Sequence, residues 1–182
     1  MRRFRPAALL VFLLFFLQAH AETLTGRVVR VIDGNAVVVL DAQKVQHKIR
    51  LQGIDAPERH QAYGTKSKEH LSELIAGRNV VVDYGKYDRY GRILGKVMVN
   101  GVDVNLEQVE SGMAWHYKKY QGEQSPLDRI AYSDAEREAR SLKIGLWRDS
   151  NPIPPWDYRQ AEREQRKSLE PFVGKSTVRG AQ

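Results

Sequence analysis

Ile49-Arg50-Leu51-Gln52-Gly53-Ile54-Asp55-Ala56-Pro57-Glu58 places charged groups at the end of a strand. Ile49, Leu51 and, beyond Gly53, Ile54 form the apolar alternation of a half-buried strand, which sends Arg50 and Gln52 to the opposite face. Asp55, Ala56 and Pro57 then make a corner. Pro57 fixes its own backbone and biases Ala56 toward an extended conformation, so Glu58 lies just past the turn. One guanidinium and two carboxylates are thereby expected to converge, a pattern that by itself fits a surface ion pair as readily as a site.

Upstream, Leu24 to Ile32 is rich in Val and Thr and reads as a strand, ended by the turn signal Asp33-Gly34-Asn35. Ala36 to Leu40 returns as a second strand, and His47 to Gly53 as the third, completing an antiparallel meander. Downstream, Gly64 to Ala76 switches to helical period with Leu71, Leu74 and Ile75 on one face and Gly77 as its C-terminal cap. Asn79 to Tyr84 and Ile93 to Val99 predict a second hairpin. Val104 to Ser111 predicts a short helix stopped by Gly112. Ser125-Pro126-Leu127-Asp128 opens a longer one, with Ala131, Ala135, Ala139 and Leu142 facing inward. The interleaved aromatic and basic residues from Ala114 to Tyr120 are expected to form an exposed loop, either a plain helix connection with snorkelling lysines or a strand-binding surface. Five strands with a helix set between the third and fourth predict an α+β, mainly β fold: a small closed barrel of the oligonucleotide/oligosaccharide-binding type with about three helices.

The chain opens with Arg2, Arg3 and Arg5, an apolar run from Ala7 to Leu17 and Ala19-His20-Ala21, the layout of a signal peptide cleaved after Ala21. The run is short for a bilayer span, which needs roughly 20 apolar residues, so no membrane anchor is expected in the mature form and the protein is expected to be secreted or periplasmic. Loss of three arginines and no acids takes the formal net charge from +7 to +4. A basic surface favours polyanions. With no cysteine there is neither disulfide nor thiolate chemistry. The histidines lack a zinc spacing and read as surface residues. Residues 22–148 are expected to form the barrel domain. From Asp149 onward, a Pro-rich linker and a charged segment read as a poorly ordered tail to residue 182.

Val31-Ile32-Asp33-Gly34, Ile49-Arg50-Leu51 with Gly53-Ile54-Asp55-Ala56-Pro57-Glu58, Asp88-Arg89-Tyr90-Gly91-Arg92 and Gly145-Leu146-Trp147, in this order, resemble the motifs of the staphylococcal-nuclease-like thermonucleases from about Thr25 to Trp147. That resemblance implies calcium-dependent hydrolysis of DNA and/or RNA on a five-stranded barrel; the protein is expected to act as a monomer. It implies Arg50 and Arg92 as phosphate clamps and Glu58 as general base. It also implies Asp55 and the Ala56 carbonyl as Ca2+ ligands, Arg89 and Tyr90 at a terminal phosphate, and, on a looser match, Tyr117 and Tyr120 as nucleotide-stacking residues.

Elementary chemistry suits these residue types. Attack on an anionic phosphodiester requires neutralised charge and a deprotonated water, for which planar guanidiniums and a carboxylate base are fitted. Carboxylate, carbonyl and water oxygens suit calcium. One position departs from the pattern. Asn35 stands where the family carries a second aspartate, which removes a negative charge from the metal site and is expected to weaken Ca2+ binding. Two other readings stay open on the sequence: a nucleic-acid-binding domain of the same fold with weak or lost cleavage, and an exported barrel for saccharide or protein.

Overall fold

The computed structural model describes residues 22–173; the leader expected over residues 1–21 lies outside them. Strand β1 (Glu22–Asp33) pairs antiparallel with β2 (Ala36–Asp41), and β2 with β3 (Gln46–Leu51). The reversal between β1 and β2 is fixed by Asp33, whose Oδ1 accepts the Asn35 N–H at 2.9 Å, a side chain completing a turn that the backbone cannot complete alone. β5 (Asn79–Tyr87) joins the other edge of β1, and β6 (Ile93–Val99) pairs with β5. The barrel closes where β6 runs parallel to β3, with Ile49 opposite Ile93, Arg50 opposite Leu94 and Leu51 opposite Gly95. Closure leaves those two strands without free edges. Gly95 permits it, since a Cβ there would come within 2.4 Å of Val82 Cγ1. The expected five-stranded barrel is therefore present, with β5 running three residues beyond the predicted strand.

The interior is filled by Val28, Val37, Val39, Ile49, Leu51, Val80, Val82, Ile93 and Val97, all almost fully buried. β6 alternates buried and half-buried residues along its whole length, as one inward face requires. Helix α1 (Gly64–Ile75) caps one end of the barrel with Leu71 and Ile75. Gly77 (φ +73°) follows it and donates its N–H to Val28 O at 3.0 Å, tying the helix end to β1.

The short strand β7 (Val102–Asp103) leads into α2 (Val104–Glu110), capped by Asp103. Helix α3 (Pro126–Ser141) starts as predicted, with Ser125 Oγ accepting the Asp128 N–H at 3.1 Å. Its inner face is built from Tyr132, Ala135, Glu136 and Ala139; Leu142 is 61% exposed because the helix has ended one residue before it.

Two expectations are corrected. Ala114, Trp115 and His116 are buried, not looped out: β8 (Trp115–His116) pairs with β4 (Ile54–Asp55), and Tyr117 N–H donates to Gly53 O at 2.8 Å. The charged segment beyond the prolines is not an irregular tail over the described residues but a helix, α4 (Pro155–Val173). It is attached by its first turn. Pro155 is buried and Trp156 packs on Trp115 and Tyr117, whereas Gln160 to Leu169 are exposed throughout. Among the described residues no helix is long and apolar enough to cross a membrane.

Candidate active site

Arg50 is aimed by the sheet on both sides, opposite Ala36 of β2 and Leu94 of β6. Its Nη2 donates to Asp55 Oδ1 at 2.7 Å, while Nη1 is buried and has no hydrogen-bond partner among the described residues. An orphaned guanidinium nitrogen at a cleft wall is costly unless an anion visits it. Asp55 is 1% exposed and fixed by its β4–β8 pairing. Asn35 turns toward it, with Nδ2 donating to Asp55 Oδ1 at 3.3 Å. Glu58 sits at the mouth of the cleft. Its backbone is held by Gln61, whose side chain accepts the Glu58 N–H at 3.0 Å and whose N–H donates to Glu58 O at 2.9 Å.

The second arginine arrives from the β5–β6 turn. Asp88 organises that turn: its Oδ1 accepts the N–H groups of Tyr90 and Arg92, each at 2.9 Å, and its Oδ2 accepts Arg92 Nε at 2.7 Å. Gly91 (φ +74°) supplies the left-handed residue that the turn needs. Burial acts to raise the Asp88 carboxyl, but the hydrogen bonds from Arg92 outweigh it and hold the group below the usual carboxylate range. Arg89 and Arg92 both lie against the Tyr90 ring, at 4.8 and 5.6 Å from its centre.

Tyr117 meets Tyr120 edge-on, their centres 5.0 Å apart. Burial first, and then the Asp55 charge, push the Tyr117 phenol up, so it stays neutral. All ten residues singled out from the sequence (Asn35, Arg50, Asp55, Ala56, Glu58, Arg89, Tyr90, Arg92, Tyr117 and Tyr120) line one cleft of about 1160 Å³.

Residues not foreseen from the sequence share it. Arg159 of α4 reaches across to both carboxylates: Nη2 donates to Asp55 Oδ2 at 2.7 Å, and Nη1 to Glu58 Oε1 at 2.6 Å and Asp55 Oδ1 at 3.3 Å. Burial opposes the charge on Arg159, but the two carboxylates prevail and raise its pKa. Trp156 stacks on Tyr117 with centres 5.3 Å apart and planes at 11°. No sequence signal marks these two residues, because both belong to a segment without an apolar period.

Among the described residues, no three His, Cys, Asp or Glu side chains group as a metal site. The Asp55 carboxylate, the Asn35 amide oxygen and the Ala56 carbonyl nevertheless offer hard oxygen donors that suit calcium. The fit is conditional, since Asn35 presents its N–H2 to Asp55 and Arg159 covers the carboxylate.

His116, read as a surface residue, is buried on β8 with Nε2 2.9 Å from Gln124 Oε1. Burial lowers its pKa, and Lys118 adds to this; Gln124 and Glu136 oppose it and lose. The unfolded chain therefore takes up a proton that the folded protein resists. Stability contributed by neutral His116 is complete above its ordinary pKa of about 6.5 and is lost as pH falls toward the lower folded value. Denaturation midpoints measured from pH 7.5 to 5 should fall on acidification, and His116→Gln should flatten that slope.

The sequence model of the staphylococcal nuclease homologue family matches residues 48–149. An uncharacterized endonuclease of Escherichia coli is 42% identical over 160 residues, 87% of this chain and 98% of its own length. A micrococcal nuclease of Shigella flexneri is 36% identical over 168 residues, covering 87% of this chain and 93% of its own. The matched residues include β3 from Lys48 onward, the Asp55–Glu58 corner and the Arg92 turn, parts that the barrel gathers into its cleft. The chain belongs to the staphylococcal nuclease homologues, a family of nucleases.

Proposed function

We propose that this protein is an exported endonuclease that hydrolyses phosphodiester bonds of DNA or RNA with the help of calcium. The observation that carries the reading is Arg50. One of its terminal nitrogens is spent on Asp55 and the other is buried with no hydrogen-bond partner among the described residues, in a cleft that also holds Glu58 and Arg92. Its free N–H groups can donate to a phosphoryl oxygen, and Arg92 can hold a second, so the two guanidiniums neutralise the charge that grows as hydroxide adds to phosphorus. Glu58 takes the proton from the attacking water. Tyr117 and Tyr120 offer ring faces to bases, and Arg89 with Tyr90 extends the contact to a neighbouring phosphate. Asp55, Asn35 and the Ala56 carbonyl would hold calcium, which when bound supplies further positive charge next to the scissile phosphate.

A zymogram on DNA and on RNA, run with calcium and with a chelator, tests this. Clearing with calcium and its loss on chelation are the expected results; no clearing on either substrate would favour a binding domain of the same fold. Export rests on the leader-like residues 1–21. N-terminal sequencing of protein recovered outside the cytoplasm should begin at Glu22.

Asn35→Asp should tighten calcium binding. The substitution adds a full charge a few ångströms from the cation, worth about 1–4 kcal/mol between water-like and protein-like surroundings, or at least about fivefold in affinity. Without calcium the variant should be slightly less stable than the natural protein, because the amide that donates to Asp55 at 3.3 Å becomes a second carboxylate. Calorimetric calcium titration beside urea denaturation reads both effects. Unchanged calcium affinity would remove Asn35 from the metal site.

A further inference from the structure

The first turn of α4 stands in two places that the proposed reaction needs. Trp156 lies parallel on the Tyr117 ring, the face on which a base would stack. Four ångströms or less is the reach of a salt bridge, and Arg159 makes two: Nη2 to Asp55 Oδ2 at 2.7 Å and Nη1 to Glu58 Oε1 at 2.6 Å. A guanidinium in this position neutralises the carboxylates that would otherwise attract a cation. With Arg50 it balances Asp55 and Glu58 charge for charge. It also occupies Glu58 Oε1, an oxygen through which the glutamate would accept a proton.

We propose that the first turn of α4 is a displaceable cover on this site, with Trp156 in place of a base and Arg159 in place of the divalent cation. Docking of α4 and loading of the site therefore exclude each other. This rests on the calcium reading given under Proposed function. A cation seated on Asp55 would lie within a few ångströms of the Arg159 charge, and the repulsion is relieved only when the turn moves away.

The attachment suits removal. Gln160 to Leu169 are exposed, and the linker ahead of the helix is held by the hydrogen bond from Gln61 Nε2 to Ile153 O at 2.6 Å. The docked turn thus depends on the buried Pro155, on Trp156 against the Trp115 cluster and on the Arg159 ion pairs, a local set of contacts of the kind that opens without unfolding the rest. Asn35 sharpens the competition, since a metal site short of one carboxylate yields more readily to a tethered cation.

Calorimetric titration of the full chain with calcium chloride tests the proposal, with circular dichroism reporting that the barrel stays folded. Arg159→Ala should bind calcium at least tenfold more tightly than the natural protein. Arg159→Lys, which keeps the charge but loses the two-pronged grip, should fall between them. Trp156→Ala touches no carboxylate and should still tighten binding about threefold or more by loosening the turn. Equal or weaker calcium affinity in Arg159→Ala overturns the proposal. Should that variant not fold, Arg159→Lys decides in its place, and an affinity no better than natural overturns the proposal equally. Tightening in Trp156→Ala alone also counts against it, because Arg159 would then not be the competitor. Failure of the underlying metal reading looks different: no calcium heat in any variant, Asn35→Asp included.

Discussion

Glu58→Gln is expected to depress phosphodiester cleavage by about 10²–10⁴-fold, the range that a positioned general base supplies. Gln keeps the shape of the side chain and its place at the cleft mouth but cannot take a proton from water. The backbone around it should not move, because Gln61 holds the Glu58 N–H and carbonyl, groups that the substitution leaves alone. Arg92→Ala is expected to cost about 10²–10³-fold, as loss of one donor to a growing oxyanion does elsewhere. In the proposed mechanism clamp and base serve one transition state, so the double variant should be little worse than the poorer single one. Both variants should keep the barrel, whose interior is made of residues from β1, β2, β3, β5 and β6 rather than from these two turns. Nucleic-acid binding should survive in part through the Tyr117–Tyr120 surface. Turnover on a labelled oligonucleotide, with binding measured on an uncleavable analogue, separates these effects. Near-natural turnover in Glu58→Gln would remove the base from the mechanism and favour a binding role.

What could be read from the sequence follows from the range over which each signal acts. Asp33-Gly34-Asn35 is a local instruction, and the Asp33 side chain carries it out within two residues. The alternation through Ile49, Leu51 and Ile54 fixes which face Arg50 takes, because a strand has no other way to divide its sides. The same holds for Ser125-Pro126-Leu127-Asp128, where cap and first turn are contiguous.

The parts that were not legible depend on partners distant in the chain. β8 is two residues long, too short for any period, and exists because Ile54 and Asp55 offer it a partner about sixty residues earlier. His116 is buried for the same reason. Leu142 follows the period of α3 but falls one residue past its end, where the chain turns away. Asp88 heads the Asp88-Arg89-Tyr90-Gly91-Arg92 motif without a role of its own in the sequence, and only the folded turn reveals that it positions Arg92. α4 shows the limit most clearly. Tyr158 to Leu169 carries charge without an apolar stripe, so helical order there is not written in hydrophobic spacing; the anchors are Trp156, placed by two aromatic rings, and Arg159, placed by two carboxylates about a hundred residues away.

Gly64→Ala should injure both fold and site although it adds a single methyl group. The backbone at Gly64 takes up no left-handed conformation, so the need for glycine is one of space. A Cβ built there lies 1.9 Å from the Glu58 carbonyl oxygen and 2.8 Å from its carbon. Those are backbone atoms, which no rotamer change can move aside. Relief has to come either from α1, whose first residue is Gly64, or from the turn that carries Glu58. α1 is the stiffer of the two, pinned by the fully buried Leu71 and Ile75 and by Ser67 against Gly34 and Gln108. The Glu58 turn is held by Gln61 and ends in an exposed Arg59 and His60, so it should give way. Overpacking of this kind costs about 1–3 kcal/mol in stability. A displacement of the base by about 1 Å can cost about a hundredfold in rate. Gly64→Ala should therefore show a lowered denaturation midpoint together with a turnover loss that calcium does not rescue. Asn35→Asp, by contrast, changes calcium dependence and leaves the Glu58 turn intact. A Gly64→Ala protein with lowered stability but natural turnover would mean that α1 had moved instead of the turn that carries Glu58.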